Sequence, residues 1–256
     1  CRRVARVTVR ASIKRAMTSP MNHAEDLPGF YAALLAHFGP QHWWPGETPW
    51  EVAVGALLTQ HTAWHNVKLA LTALQAHQAL APEALLALPD ETLHTYLRPT
   101  GYFRQKTDRL RRLAQWWLAQ ADNARTAAPG ALRDQLLAIS GIGPETADSI
   151  LLYAFGVPIF VIDAYTRRVL VRHGLASPRA NYHELQDLFH QTLPAVAQDY
   201  NEYHALLVAV GKHHCRPQPK CATCPLRGHL QRLGGEPLSL AITPTVAIRA
   251  RRGRRG

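Results

Sequence analysis

One carboxylate and one glycine hairpin carry the chemistry that this sequence can perform. Asp163 follows a proline-broken apolar segment, at a place where an aspartate can cap a helix and also act on a glycosidic bond. Upstream, Gly141 and Gly143 flank Ile142 between two apolar helical stretches, and Pro144 suits the first turn of the second stretch. Backbone amides at such a helix start can bind a phosphate. Together these features predict a protein that binds DNA and catalyses a reaction on it.

The hairpin and the aspartate also carry a family resemblance. The segment Ile-Ser-Gly-Ile-Gly-Pro-Glu-Thr-Ala at 139–147 resembles the hairpin of the helix–hairpin–helix DNA glycosylase superfamily, the group that includes endonuclease III. In that family the catalytic aspartate lies eighteen residues after the variable hairpin position, which is the spacing from Glu145 to Asp163. The resemblance implies that Asp163 is the catalytic carboxylate and that the amides of Gly141–Gly143 hold a DNA phosphate. The alternative is an ordinary tight turn followed by an N-cap.

The identity of residue 145 bears on the type of reaction. In superfamily members that also cleave the strand, this position is a lysine whose amine attacks the sugar and forms a Schiff base. Glu145 cannot do this, and the sequence has no lysine between Lys106 and Lys212. The resemblance therefore implies a monofunctional glycosylase, in which Asp163 activates water or stabilises the positive sugar. If Glu145 serves only as a favourable charge in the first turn of a helix, the strand-cleaving activity is still absent.

The substrate end is predicted from a glutamine and three tryptophans. The family has a glutamine at the position of Gln60, where it fills the gap left by a swung-out base. Trp43 and Trp44, with Trp64 twenty residues later, look like the 3-methyladenine branch, whose aromatic residues line the base pocket. Indole faces attract the positive charge of an alkylated purine. The alternatives are that these tryptophans belong to the core, or that the substrate is an oxidised pyrimidine.

A cysteine-rich loop near the end predicts a metal site. Many relatives carry four cysteines here that hold a [4Fe–4S] cluster, but this chain has Cys215, Cys221 and Cys224, with Leu230 at the fourth place and His229 one residue before it. Three hypotheses stay open. The loop holds the cluster with an unusual fourth ligand, for which His229 is a candidate, or it holds zinc with a histidine, or it holds no metal.

Charge is concentrated at the two ends of the chain. The 256 residues have a net charge of +11, yet residues 1–20 hold six basic side chains and residues 245–256 hold five arginines, with no acidic residue in either. The remainder balances, with 18 basic residues against 18 acidic ones. Composition therefore does not by itself indicate a DNA-binding body. We expect 1–20, which we attribute to an upstream start, and the Arg-rich tail 234–256 to be disordered.

Helical periodicity predicts an all-α fold, with two helical lobes flanking a cleft, a helix–hairpin–helix motif and a C-terminal Cys-rich loop. The resemblance implies a six-helix lobe at 47–158 and a second lobe formed by 21–46 and 159–233, which places Asp163 at the cleft. The apolar stretches that predict helices are 28–38, 49–60, 64–77, 82–88, 90–97, 103–121, 130–138, 144–155, 164–173, 181–193 and 198–212.

The function predicted is a DNA repair glycosylase that removes a flipped-out alkylated purine from double-stranded DNA by hydrolysis. Its rivals are an endonuclease III-like enzyme for oxidised pyrimidines, a catalytically weak lesion-binding protein, and an iron–sulfur or zinc protein whose DNA role is vestigial. No stretch of eighteen apolar residues predicts a membrane span. We expect a cytoplasmic monomer, associated with the nucleoid if the source is bacterial.

Overall fold

The computed structural model describes residues 23–43, 46–120 and 127–232, and within these ranges it is built from helices with no strand. None of the helices in those ranges combines the length and the apolar character needed to cross a membrane. The helices are α1 (Leu27–Phe38), α2 (Pro49–Leu58), α3 (Trp64–Ala76), α4 (Pro82–Ala87), α5 (Asp90–Leu97), α6 (Phe103–Gln120), α7 (Pro129–Ala138), α8 (Pro144–Phe155), α9 (Ala164–Arg172), α10 (Tyr182–Thr192), α11 (Ala197–His213) and α12 (Arg227–Arg232).

Local residue chemistry explains where these helices begin. Proline occupies one of the first two positions of α1, α2, α4, α7 and α8, where its missing N–H costs no helical hydrogen bond. Thr48 caps α2 by accepting from the amide of Glu51. Asn181 and Glu184 form a reciprocal capping box at the start of α10. The all-α prediction is confirmed, and the predicted tails lie outside the described residues.

The buried apolar side chains form two cores. The first core is formed by side chains of α2 to α7 and by side chains of α8 that include Ile150 and Leu151. The second core is supplied by α1, α9, α10 and α11, together with Leu152 and the segment that joins α8 to α9. Since α8 contributes to both cores, this helix fixes the hairpin at its start relative to the residues that follow its end.

The segment 158–162 reads as a strand by its residue types but has no strand partner. Its backbone groups bond instead to side chains of α10. The amide of Phe160 donates to Nε2 of His190 at 2.9 Å, and the carbonyl of Phe160 accepts from Gln186 at 2.6 Å. The ring of Phe160 stacks on Phe189 with 3.6 Å between centroids. These contacts hold the extended connector in place, so that α9 starts at a defined point.

A buried polar network ties α7, α8 and α10 together. Asp148 on α8 is fully buried, and its carboxylate accepts from Nε and Nη2 of Arg133 at 2.7 and 3.2 Å. It also accepts from the hydroxyl of Tyr182 at 2.9 Å and from the amide of Gln186 at 2.8 Å. Both carboxylate oxygens are therefore bonded, as a buried charge requires.

Candidate active site and nucleic-acid interface

The hairpin between α7 and α8 has the geometry of an anion-binding turn. Gly141 has φ +94°, a conformation that L side chains rarely adopt. Ile142 is buried in the first core and its amide bonds to the carbonyl of Ile139 at 3.0 Å, so this amide serves the turn itself. The amides of Gly141 and Gly143 make no backbone hydrogen bond within the described ranges. These two amides, rather than all three, are placed to bind a phosphate.

Two side chains from other elements close the hairpin. Gly141 lies so close to Arg109 of α6 that a Cβ on it would stand 2.3 Å from Nε of the arginine. Arg109 also donates to Oε1 of Gln60 at 2.7 Å. In turn, Nε2 of Gln60 donates to the carbonyl of Gly141 at 3.1 Å and to the hydroxyl of Thr146 at 3.0 Å. The predicted gap-filling glutamine is therefore docked on the hairpin.

Two aromatic residues with strained backbone lie beside Gln60, and sequence analysis did not predict a role for either of them. His61 has φ +54° and Tyr102 has φ +47°, both in the left-handed region that non-glycine residues rarely occupy. Their rings are 6.3 Å apart, and the side chain of Tyr102 is 56% exposed. Strained backbone of this kind concentrates at functional sites, so the two rings extend the candidate interface.

Asp163 stands at the N-cap of α9, between the connector and the helix. Its Oδ1 accepts from the amide of Thr166 at 2.7 Å, which fixes the side chain in place. Its Oδ2 lies 3.7 Å from Nε2 of His204 on α11, and the side chain is 13% exposed. The carboxylate is thus held through one oxygen, while the other faces a buried imidazole and solvent.

His204 was not among the residues that the sequence predicted. It lies on α11, and its Nδ1 is 2.5 Å from the hydroxyl of Tyr153 on α8. Burial lowers the pKa of His204 and raises the pKa of Tyr153 well above its usual value. His204 lies in the middle of α11, 41 positions after Asp163, and no local pattern there predicts this contact.

Glu145 occupies the first turn of α8 and is exposed at the surface. Partial loss of hydration, followed by the charge of Asp163, raises the pKa of Glu145 to about 7. Because two carboxylates stand close together, a proton is held at this position more tightly than on an ordinary glutamate. The structure thus places an ionisable acid, rather than an amine, next to Asp163.

The three predicted pocket tryptophans are not gathered in one described cavity. Trp43 lies under Nζ of Lys212, which is 5.5 Å from its ring and close enough to influence the pKa of His204. Trp64 lines a small cavity together with Glu51 of α2 and other residues of α3. Asp163 does not border that cavity. Trp44 lies outside the described residues. Of the three tryptophans, Trp43 is therefore the one with a described link to the Asp163 site, which runs through Lys212 and His204.

The three cysteines of the C-terminal loop border one cavity, and none of them forms a disulfide. Leu230 and His214 line the same cavity. Within the described ranges, no three His, Cys, Asp or Glu side chains converge as a single metal ion would need, at about 2.3 Å from each sulfur. Thiols that surround a space, rather than a point, suit a larger group such as an iron–sulfur cluster.

One arginine lies beside the cysteines, and burial keeps one of the three thiols protonated. Nη1 of Arg172 lies 3.4 Å from the sulfur of Cys215 and also donates to the carbonyl of Arg216. Burial, together with the nearby sulfurs, raises the pKa of Cys224 to about 11. A thiol with that pKa stays protonated at neutral pH unless a metal takes the place of its proton.

His229, which the sequence offered as a fourth ligand, does not line this cavity. Its ring packs edge-on against Phe30, with 4.9 Å between centroids. It also lies against Gly29, where a Cβ would stand 2.8 Å from Cε1 of the imidazole. The ring would have to turn away from α1 to reach a metal held by the three cysteines.

Comparison with known proteins agrees with this geometry. The family model of the HhH-GPD superfamily base excision DNA repair proteins matches residues 54–195. The Methanocaldococcus jannaschii protein MJ1434, described as a candidate DNA repair glycosylase, is 39% identical over 211 residues, which cover 80% of this chain and 96% of that protein. The chain belongs to the HhH-GPD superfamily, whose members are DNA glycosylases.

Two solved structures place the fold within this group. A 3-methyladenine DNA glycosylase of H. pylori, bound to 1,N6-ethenoadenine, is 26% identical with a TM-score of 0.63, over 75% of this chain and 98% of that one. A trapped covalent intermediate of endonuclease III with DNA has a TM-score of 0.69 at 22% identity, over 82% of this chain and 98% of that one. The second likeness concerns the fold alone.

Proposed function

We propose that the protein is a monofunctional DNA glycosylase that removes alkylated purines from double-stranded DNA. The observation that carries this proposal is the pairing of Asp163, held through one oxygen only, with a glutamate at the position where strand-cleaving relatives have a lysine. The first group serves hydrolysis of an N-glycosidic bond, and the second removes the amine that strand cleavage by a Schiff base needs.

The reaction that these residues support is a hydrolysis. The bond between C1′ of the sugar and the base nitrogen breaks, and its electron pair leaves with the base. A base that was cationic departs as a neutral molecule, so it needs no added proton. The ionised carboxylate of Asp163 stabilises the positive sugar, and its Oδ2 accepts a proton from the water that adds to C1′.

DNA would lie across the surface that contains the hairpin and Gln60. The amides of Gly141 and Gly143 are placed for a phosphate, and Arg109 adds positive charge beside them. Gln60, with the exposed Tyr102 nearby, would enter the duplex once the base has left the stack. Leaving the hairpin costs Gln60 its three hydrogen bonds, which contacts with DNA must replace.

The preference for alkylated purines is supported by Trp43. Its indole face already carries a cation, the ammonium of Lys212 at 5.5 Å. Such a face binds a cation more strongly than a neutral ring, by about 0.5–2 kcal/mol depending on desolvation. A cationic purine would displace Lys212 from this face. The H. pylori neighbour, a 3-methyladenine DNA glycosylase, is in keeping with an alkylated purine as substrate.

Two labelled duplexes test the proposal, one with a methylated purine and one with an oxidised pyrimidine, each run with and without alkali after incubation with enzyme. We expect breakage of the methylated duplex only after alkali, and none with Asp163→Asn. Direct breakage of the oxidised duplex would contradict both parts of the proposal. In that case borohydride trapping of Lys212→Ala would show whether Lys212 supplies the amine. Tight binding without base release would favour a lesion-binding protein.

The same proposal includes a [4Fe–4S] cluster in the cavity bordered by Cys215, Cys221 and Cys224. This group would be structural and takes no part in the hydrolysis. Leu230 stands at the sequence position of the relatives' fourth cysteine and lines this cavity. Iron, zinc and acid-labile sulfide in the purified protein test this point. We expect iron and sulfide in equal amounts, and zinc without sulfide would contradict the cluster.

A further inference from the structure

His204 lies between a hydroxyl and the carboxylate that the proposed reaction uses. Its Nδ1 is 2.5 Å from Oη of Tyr153, and its Nε2 is 3.7 Å from Oδ2 of Asp163. Tyr153 lies on α8, Asp163 caps α9 and His204 lies on α11. The imidazole is buried and the tyrosine is partly buried. Packing of three helices, rather than any local motif, therefore lines up the row of polar atoms.

The proton positions along this row follow from burial. Burial raises the pKa of Tyr153, and the charge of Asp163 raises it further, so the hydroxyl keeps its proton at all working pH values. Burial lowers the pKa of His204, so the ring is neutral near pH 7 and carries one proton. If Tyr153 donates to Nδ1, that single ring proton is on Nε2.

The Nε2–H group then points toward Asp163. This nitrogen is buried and has no hydrogen-bond partner within the described ranges. A buried donor without an acceptor is destabilising, so a hydrogen bond at this nitrogen would be favourable. Oδ2 of Asp163 is the carboxylate oxygen next to it, and a displacement of less than about 1 Å would complete a hydrogen bond between them. Oδ1 is already held by Thr166.

We propose that Tyr153 and His204 form a positioning pair, in which the hydroxyl fixes the imidazole tautomer and the Nε2–H group orients Oδ2 of Asp163 toward the sugar. This inference rests on the proposed glycosylase function and deepens it. Thr166 fixes where the carboxylate is, and His204 fixes how it is turned. The other titratable groups that face this row are Glu145 on α8 and Lys212 on α11.

Single-turnover base release from the methylated duplex tests the pair kinetically. His204→Ala should slow release by about a hundredfold and Tyr153→Phe by about tenfold, with DNA affinity within twofold, because the defect is in orientation rather than in binding. His204→Gln, which keeps an N–H near the position of Nε2, should recover most of the rate. Tyr200→Phe removes another buried hydroxyl, away from Asp163, and should not change the rate.

The pH–rate profile separates orientation from a merely structural role. A hydrogen bond from Nε2 stabilises the ionised carboxylate, so its loss in His204→Ala should move the acid limb of the profile to higher pH. Tyr153→Phe should move the limb in the same direction by less. Unchanged rates and an unchanged acid limb in both variants, with folding intact by circular dichroism, would overturn the inference.

Nitrogen NMR of the protein labelled in its histidines gives a readout independent of activity. The His204 signals are assigned by their loss in His204→Gln, which is needed because the chain has 14 histidines. We expect a protonated Nε2 and an unprotonated Nδ1, with the Nε2 signal shifting in Asp163→Asn and the tautomer becoming mixed in Tyr153→Phe.

The two readouts keep the two proposals apart. If the wild-type protein releases neither base, the proposed function fails, and the NMR result alone decides whether the pair orients Asp163. A proton on Nδ1 of His204, or an Nε2 signal that is insensitive to Asp163→Asn, would overturn the positioning pair even in an active enzyme.

Discussion

Asp148 and Asp163 are two aspartates within one stretch of chain that the fold treats in opposite ways. Asp148 is fully buried, and both of its oxygens are bonded, to Arg133, Tyr182 and Gln186. Asp163 uses one oxygen as a helix cap and leaves the other 3.7 Å from a buried imidazole. Both oxygens of Asp148 are occupied by hydrogen bonds, whereas Oδ2 of Asp163 remains available for a reaction.

The difference shows how a carboxylate with a structural role can be told from one with a chemical role. A carboxylate with a complete set of donors stabilises the packing of the helices that supply them, here α7, α8 and α10. A carboxylate that is held in place through one oxygen only keeps its second oxygen available for a reacting group. The two cases predict opposite effects of substitution, on folding at one position and on rate at the other.

Asp163→Asn should give the largest effect of all, confined to chemistry. Asparagine caps a helix about as well as aspartate, so the free energy of unfolding should stay within about 0.5 kcal/mol of the wild type. Base release should fall by roughly 10²–10⁴-fold, because the amide cannot accept the proton of water or stabilise the positive sugar. Single-turnover rates and denaturant titration measure both. A variant that keeps its rate would remove Asp163 from the reaction.

Asp148→Ala should show the reverse pattern. Removing one partner leaves the guanidinium of Arg133 without its counter-charge, which costs about 3–5 kcal/mol in comparable buried pairs. Urea unfolding followed by circular dichroism measures this loss. Base release by the folded fraction at low temperature should stay within a few-fold of the wild type. A stable Asp148→Ala with a large loss of rate would break the contrast between the two aspartates.

Gly141→Ala should weaken the grip on DNA without touching either aspartate. The new Cβ meets Arg109 and forces a positive φ, at a cost of about 1–3 kcal/mol. We expect weaker duplex binding, with the rate of bound substrate little changed, by fluorescence anisotropy and single-turnover kinetics. Gly143→Ala is the matched control for stability, because a Cβ there meets open space at a negative φ. Equal destabilisation by the two changes would contradict this account.

Glu145→Gln should have the smallest effect, seen as a pH dependence. The folded state raises the pKa of Glu145 from 4.5 to about 7, so the folded state holds the proton more tightly than the unfolded state. The stabilisation is therefore complete below about pH 4.5 and is lost as the pH rises toward 7. Across pH 4 to 8, Glu145→Gln should lose less Tm than the wild type. Glu83→Gln, at an exposed residue in the first turn of α4, controls for the change of charge.

Much of the fold could be predicted because its signals are local. The predicted helical stretches 64–77 and 90–97 correspond to α3 (Trp64–Ala76) and α5 (Asp90–Leu97), since apolar periodicity acts within one or two turns. The connector at 158–162 is rich in residues typical of strands, but it has no strand partner among the described residues because α10 supplies its hydrogen bonds.

The helices, the family, the glycine turn and the cap at Asp163 could all be predicted, because each depends on residues a few positions apart or on a motif of fixed spacing. The surroundings of these features depend on tertiary packing. This packing brings His204 to Asp163 and Tyr153, places Arg109 against Gly141, and packs His229 on Phe30 and Gly29. These contacts join residues up to 200 positions apart, and they depend on how whole helices pack, which no local pattern encodes.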